Sequence, residues 1–360
     1  MDRIQKIISN MTKTITIDKT KIGESYPPYV IAEMSANHNG NIDDAFKIIE
    51  KAKKSGANAV KIQTYKPSTI TIKSELPDFL IKDGLWKGKS LYELYESAHT
   101  PWSWHKELFE YANKIGITML SSPFDASAID LLEDLKTPAY KIASFEIIDL
   151  PLVRYAASTK KPMIISTGMA DAKEIDEVIE TARDAGCVDL AILHCVSGYP
   201  APPKDYNLRT LVDMKKRFGV ITGISDHTLN NVTALASVSL GASIIEKHFT
   251  LDRTRGGPDD SFSLEEKELI ELCESSKVAW SSLGRVDYSI KESEKTNLKF
   301  RRSLYFIKDL KKGDIITVND IRSIRPGFGI SPKYFDEIIG KKVKKDVSYG
   351  TPVMFESFHN

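Results

Sequence analysis

The chain holds only three cysteines, Cys187, Cys195 and Cys273, and their spacing fits no metal-binding pattern. That excludes a cysteine-rich zinc module or disulfide scaffold. Cys187 and Cys273 read as packing in or beside helices and Cys195 as a strand end, which suits a reducing cytoplasm. No apolar run approaches the roughly 20 residues needed to span a bilayer. Met1 to Asn10 is polar and mixed in charge, unlike a signal peptide. Excess charge is also missing. The formal net charge is +1, so no broad field draws nucleic acid or an anionic membrane, and any anion site must be built locally. What remains is ordinary for a soluble globular protein: 41% hydrophobic and 28% charged residues. The 360 residues allow one large domain and a small one.

From Tyr29 a strand–helix rhythm begins. Residues 29–32, 59–62, 118–121, 139–143, 163–166, 190–193, 220–224 and 242–245 read as strands. Helical patterns fill the gaps at 43–55, 104–115, 126–135, 151–158, 172–185, 207–218, 230–240 and 264–283. Gly56, Gly116, Gly186 and Gly241 stand where left-handed helix stops belong. Eight such repeats in about 255 residues predict an α/β fold, a (β/α)8 TIM barrel over 29–284, with a doubly wound open sheet as the competing architecture.

Three stretches fall outside the rhythm. Residues 1–28 form an N-terminal extension in which Ile15 and Ile17 alternate with threonine, as in a short hairpin or barrel plug. Lys66 to Pro101 is too long for a βα loop and reads as a lid, a binding insertion or an extra surface helix. After a polar linker at 285–299, residues 300–360 show short alternating runs with turn signals. They form a β-rich domain small enough to need docking.

In such barrels the C-terminal strand ends face the active site. They carry Glu33, Asn37 and His38; Lys61 and Gln63; Ser121 and Ser122; Lys141 and Ser144; Ser166 and Thr167; His194, Ser197 and Tyr199; Ser225, Asp226 and His227; Glu246, Lys247 and His248. His227 and His248 close neighbouring strands 21 residues apart, so two imidazoles at one rim could hold a divalent cation and leave positions open. Taken alone, either ring reads more readily as a buried, satisfied histidine, and the matched pair of strand ends brings the two readings level. Lysines and hydroxyls together suit a phosphate or carboxylate. A barrel lysine also raises Schiff-base chemistry with a pyruvate-type donor.

These residues resemble the sialic acid synthases. The resemblance rests on Glu33 with Asn37-His38-Asn39-Gly40, Lys61-Ile62-Gln63-Thr64, Ser121-Ser122-Pro123-Phe124, Tyr140-Lys141-Ile142-Ala143-Ser144, Ser166-Thr167-Gly168-Met169, Ser225-Asp226-His227-Thr228 and Glu246-Lys247-His248-Phe249. Arg301-Arg302-Ser303-Leu304-Tyr305 and Arg325-Pro326-Gly327-Phe328-Gly329 look like that family's antifreeze-like (SAF, β-clip) domain. Gly84-Leu85-Trp86, Leu91-Tyr92-Glu93-Leu94-Tyr95-Glu96, Thr100-Pro101-Trp102 and Ala143-Ser144-Phe145-Glu146 look most like the pseudaminic acid branch, with neuraminate and legionaminate synthases as alternatives.

The resemblance implies condensation of phosphoenolpyruvate with an amino sugar. His227 and His248 would hold Mn2+, Co2+ or Mg2+. Lys61, Lys141, Ser122, Ser144, Ser166 and Ser225 would cradle phosphoenolpyruvate. Glu33 would position the sugar or move protons, unless it only pairs with a lysine. Gln63, Tyr199 and Asp259 would contact the sugar. Arg325 would reach the sugar in a partner subunit's barrel, making a domain-swapped homodimer. One departure stands out: where the neuraminic branch usually has asparagine before the Tyr-Pro pair, this chain has Ser197-Gly198-Tyr199-Pro200, which leaves a phosphate contact there to Ser197. His38, His99, His105 and His194 read as packing or loop residues.

Overall fold

The computed structural model describes residues 14–359; the part of the N-terminal extension at 1–13 lies outside them. Eight parallel strands close into a barrel: β3 Tyr29–Glu33, β4 Ala59–Thr64, β5 Thr118–Pro123, β6 Tyr140–Ile142, β7 Met163–Ser166, β8 Leu190–Cys195, β9 Ile221–Ser225 and β10 Ile244–His248. Strand β10 pairs with β3, so the sheet has no edge, and the open-sheet alternative is excluded.

The outer helices are α1 Ile42–Lys54, α4 Trp102–Ile115, α5 Ala126–Asp134, α6 Leu150–Ser158, α7 Ala172–Asp184, α8 Thr210–Phe218, α9 Val232–Ser239 and α10 Glu266–Leu283. Their ends follow local chemistry. Asn41 caps α1 by accepting from the Asp43 amide, and Asp171 forms a capping box with Glu174 on α7. Gly116, which ends α4, has φ +73°, a conformation that costs a residue with a Cβ about 1 kcal/mol or more.

Alternation along each strand sorts the side chains. Outward residues such as Val30, Ala32, Val60 and Ile62 pack under the helices. Inward residues Tyr29, Ile31, Ala59, Leu120, Ala139, Ile164, Ala191, Leu193 and Ile244 fill the barrel from below. Ile15, Ile17 and Ile22 join that inner cluster from the antiparallel hairpin β1 Ile15–Ile17 and β2 Thr20–Ile22. The hairpin is therefore the plug the sequence suggested. Burying each isoleucine contributes about 1.5–3 kcal/mol.

The insertion between β4 and α4 contains two short helices, α2 Pro67–Ile70 and α3 Leu91–Ala98. Ser90 and Glu93 form a capping box at the start of α3.

The chain divides into two compact units after Gly284. In the second, 285–299 is not a bare linker. It contains a single turn, α11 Glu292–Lys295, and a further turn at Leu298–Phe300. Beyond it, β11 Ser303–Phe306 pairs antiparallel with β12 Ile321–Ile324, and one more helical turn, α12 Phe335–Ile338, follows. The remaining extended segments meet only as isolated bridges, among them Leu310 with Val347 and Val343 with Phe358. Frequent proline and glycine cut the alternating runs short of full strands. Leu304, Phe306, Ile316, Val343, Val353 and Phe358 supply this unit's own core.

Candidate active site

The alternation that fills the lower barrel with aliphatic groups continues upward into charge. Above Ile31 the inward side chain is Glu33, above Ala59 Lys61, above Leu120 Ser122, above Ala139 Lys141, above Ile164 Ser166, and above Ile244 Glu246 and then His248. Register brings these positions together. Glu33 sits opposite Lys61 across β3 and β4, and opposite His248 across β3 and β10.

The result is a buried ionic cluster. Lys61 pairs with Glu33 and donates to Ser122 Oγ at 3.1 Å, with Glu246 3.7 Å away. Lys141 lies 3.3 Å from Glu246, which also accepts from Ser225 Oγ at 3.3 Å. All four charged side chains are at most 5% exposed, so neither lysine snorkels to solvent. The ion pair that the sequence left open for Glu33 is formed.

Burial sets the protonation bias. Desolvation raises the pKa of Glu33 against the pull of Lys61. For Glu246 desolvation acts the same way, but Lys141 and Lys61 outweigh it and hold the carboxyl ionised. Desolvation lowers the pKa of Lys141 more than Glu246 can restore it. Two lysines and two carboxylates are thus packed into one buried cluster, in which Glu246 is held ionised and burial works against the charge on Lys141. A bound anion would favour the ammonium form of Lys141.

Hydroxyls gather beside it. Ser144 Oγ accepts from the Gly168 amide at 3.1 Å. A Cβ on Gly168 would collide with Ser197 Oγ and lie 2.7 Å from Ser144 Oγ, so only glycine permits this approach. Ser166 Oγ is buried without a hydrogen-bond partner. An orphaned buried hydroxyl facing a cavity marks a place for a ligand.

The two imidazoles lie together, ring centroids 5.4 Å apart. His227 Nδ1 meets the Val196 carbonyl oxygen at 2.8 Å. Burial opposes the charge on this ring, but Cys195, the Val196 carbonyl and Glu246 outweigh it and raise the pKa; in its neutral form, donation from Nδ1 leaves Nε2 with its lone pair. His248 Nδ1 is buried and unpartnered, 4.0 Å from Asp259 Oδ2. Burial, then the charges of His227, Lys61 and Lys141, hold His248 well below the usual histidine range, so its ring is neutral. Among the described residues no three His, Cys, Asp or Glu side chains form a ready-made metal cage.

These groups line a cavity of about 320 Å³. Glu33, Lys61, Gln63, Lys141, Ser144, Ser166, Tyr199, Ser225, His227, His248 and Asp259 all reach it. Ser122 does not; it stands behind Lys61 as a hydrogen-bond acceptor. Tyr199 stacks against His227 at 4.4 Å between ring centroids, and Asp259 accepts from Ser35 Oγ at 2.5 Å. Arg325 is exposed in the second unit, just after β12.

Several strand-end residues turn away instead. Lys247 points outward to Asp226, 2.9 Å away. Ser121 donates to the Ile62 carbonyl, and Asn37 to Phe249 O and Ser263 Oγ. His38, His105 and His194 are engaged in local contacts with Gly40, Thr64 and Tyr206. Lys247 lies out of phase with Glu246 and His248, so strict alternation along β10 already turned it outward.

Other lining residues carried no assignment from sequence: Glu246 as the shared counter-ion, Cys195, Glu146 and the aromatic side chains of the insertion. Glu146 follows Ser144 by two residues in a tight turn after β6, which swings its carboxyl into the cavity.

Burial pushes Glu146 from 4.5 up to about 7. The folded chain therefore holds this proton more tightly than the unfolded chain does. The group's contribution to stability is complete below about pH 4.5, is lost as pH rises to about 7, and is constant above. The full swing is at most about 3 kcal/mol. Glu146→Gln should flatten that part of the decline, read from urea unfolding at several pH values between 4 and 8. An unchanged pH slope in the variant would count against a buried, neutral carboxyl.

A larger groove, about 990 Å³, lies at the opposite, N-terminal strand ends and includes Glu24, Lys215, Lys216 and Trp280. There Lys215 is paired with Glu24, and among the described residues lining it there is no imidazole and no buried lysine pair.

Residues 48–288 match the NeuB family and residues 301–358 the SAF domain. A pseudaminic acid synthase of Campylobacter jejuni is 43% identical over 92% of this chain and 96% of its own length. An N,N'-diacetyllegionaminic acid synthase of Legionella pneumophila is 35% identical, covering 93% and 95%. Among solved structures, an N-acetylneuraminic acid synthetase of Leptospira borgpetersenii in complex with citrate superposes with a TM-score of 0.72 at 30% identity, covering 81% of this chain and 97% of that one.

Proposed function

This chain belongs to the NeuB family, and from that premise we propose that it condenses phosphoenolpyruvate with 2,4-diacetamido-2,4,6-trideoxy-L-altrose and water, giving pseudaminic acid and phosphate. The observation that carries the reading is the buried pair Lys61 and Lys141 converging on one cavity, beside unpartnered Ser166 and two adjacent imidazoles.

Each residue has a role in that chemistry. Lys61 and Lys141 offset the phosphate and carboxylate charges of the three-carbon acid, and Ser144, Ser166 and Ser225 donate to its oxygens. Ser122 and Glu246 fix the ammonium groups. The enol C3 forms a bond to the aldehyde carbon, whose oxygen takes up a proton. Water then adds to C2, and the C2–O bond to phosphate breaks. Glu33, biased by burial to keep its proton and set beside His248 in register, is the group we assign to that transfer. Gln63, Tyr199 and Asp259 face the acceptor.

The residues fit a divalent cation. His227 has one nitrogen occupied and the other available, and His248 has a buried nitrogen without a partner. These two rings would hold Mn2+, Co2+ or Mg2+. When bound, the ion would supply Lewis-acid polarisation of the aldehyde.

Phosphate release from phosphoenolpyruvate, assayed over a panel of six-carbon amino sugars, tests the reading. Release should be greatest with the trideoxy diacetamido acceptor, cease with EDTA and return with Mn2+. Borohydride trapping of an enzyme–substrate imine would instead establish the Schiff-base route.

Arg325 belongs to the same proposal, as the residue a second copy supplies to the sugar in a domain-swapped homodimer. Arg325→Ala should raise the sugar's KM far more than that of phosphoenolpyruvate. Mixing it with a His248→Ala chain should restore activity; confirmed heterodimers without rescue would exclude a shared site. The buried free thiols Cys187, Cys195 and Cys273 support a cytoplasmic location.

A further inference from the structure

The cavity has two chemically distinct halves. The barrel contributes the lysines, carboxylates, hydroxyls and imidazoles. The insertion contributes Ile70, Trp86, Leu94, Tyr95 and Ala98, facing Tyr65 and Phe124 from neighbouring strand ends. Tyr65 packs edge-on against both Tyr95, at 5.7 Å, and Phe124, at 5.1 Å between ring centroids. The indole N–H of Trp86 is already spent on the Pro258 carbonyl at 3.1 Å, so Trp86 offers the cavity a ring and no donor. Its ring lies 6.0 Å from that of Tyr199. Apart from phenol hydroxyls, this wall has nothing with which to replace the hydration of a sugar hydroxyl.

We propose that the wall formed by Ile70, Trp86, Leu94 and Tyr95 selects the acceptor, by receiving its deoxygenated terminal carbon and acetamido methyl groups and by leaving a terminal hydroxyl unpaired. This inference rests on the functional reading above. The charged acid occupies the lysine half, so the acceptor's carbon chain must extend from the imidazoles toward the insertion. An apolar pocket discriminates against an added hydroxyl by about 10²-fold, which sets the expected selectivity.

The test uses two acceptors of the same configuration, the 2,4-diacetamido-2,4,6-trideoxy sugar and its 6-hydroxy counterpart, with the full-length enzyme loaded with Mn2+. The wild type should favour the trideoxy sugar by about 10²-fold in kcat/KM, with the difference carried mainly by the acceptor's KM. Trp86→Ala, at a half-buried loop position, and Leu94→Asn, which adds a polar partner, should each reduce that ratio below about 10-fold while the KM of phosphoenolpyruvate stays within about twofold. Circular dichroism and thermal melting establish that each variant is folded. Equal turnover of the two sugars by the wild type, or an unchanged ratio in both folded variants, overturns the wall while leaving the condensation reading intact. Preference for a fully hydroxylated hexosamine overturns both.

Discussion

Replacing His248 by alanine should abolish turnover and leave the fold standing. The ring is 11% exposed and its Nδ1 has no hydrogen-bond partner, so alanine removes packing but orphans nothing. A structural histidine such as His105, bonded to Thr64 through one ring nitrogen and to the Pro101 carbonyl through the other, would behave oppositely. Losing Lewis-acid stabilisation worth several kcal/mol corresponds to a fall of about 10³-fold or more in kcat. Calorimetric titration with Mn2+ should show binding to the wild type and none to the variant, with melting temperatures within a few degrees. Full activity in a metal-stripped His248→Ala enzyme would end the assignment.

The second large effect is at Lys141. Lys141→Met should reduce kcat/KM for phosphoenolpyruvate by about 10²–10³-fold, equivalent to about 3–4 kcal/mol of lost charge-assisted contact. The sugar's KM should change much less. Stability should change little, because the relief of desolvating the ammonium and the loss of its pairing with Glu246 oppose one another. Desolvation lowers the folded-state pKa of this lysine, so below that pKa its buried charge opposes folding, and the opposition is relieved only as pH rises through it. Methionine fills similar volume without the charge, while Glu246 remains within reach of Lys61. A buried lysine that can be lost at little cost in stability is one kept for a ligand. Marked destabilisation together with an unchanged KM for phosphoenolpyruvate would make Lys141 a structural residue and refute its role.

Much of this protein was open to reading from its residues in order. Apolar runs, helical periodicity and the glycines at 56, 116, 186 and 241 laid out the alternating elements, because strand and helix patterning depends on neighbours a few positions away. The tail is less legible. Its alternating runs suggest strands, but among the described residues only β11 and β12 are continuous, since pairing depends on distant partners that proline and glycine interrupt.

By itself, the sequence determined the repeat, its phase and hence the inventory of side chains at the upper rim. Only tertiary structure decided how they divide. It set Glu246 between Lys61 and Lys141, placed Ser122 behind Lys61, sent Lys247 outward to Asp226 and brought Glu146 and Trp86 over the cavity. The physical reason is range. Backbone preference is a local property of the chain. The strength of a charge pair and the cost of desolvating it depend on distances and burial that exist only once β10 closes on β3.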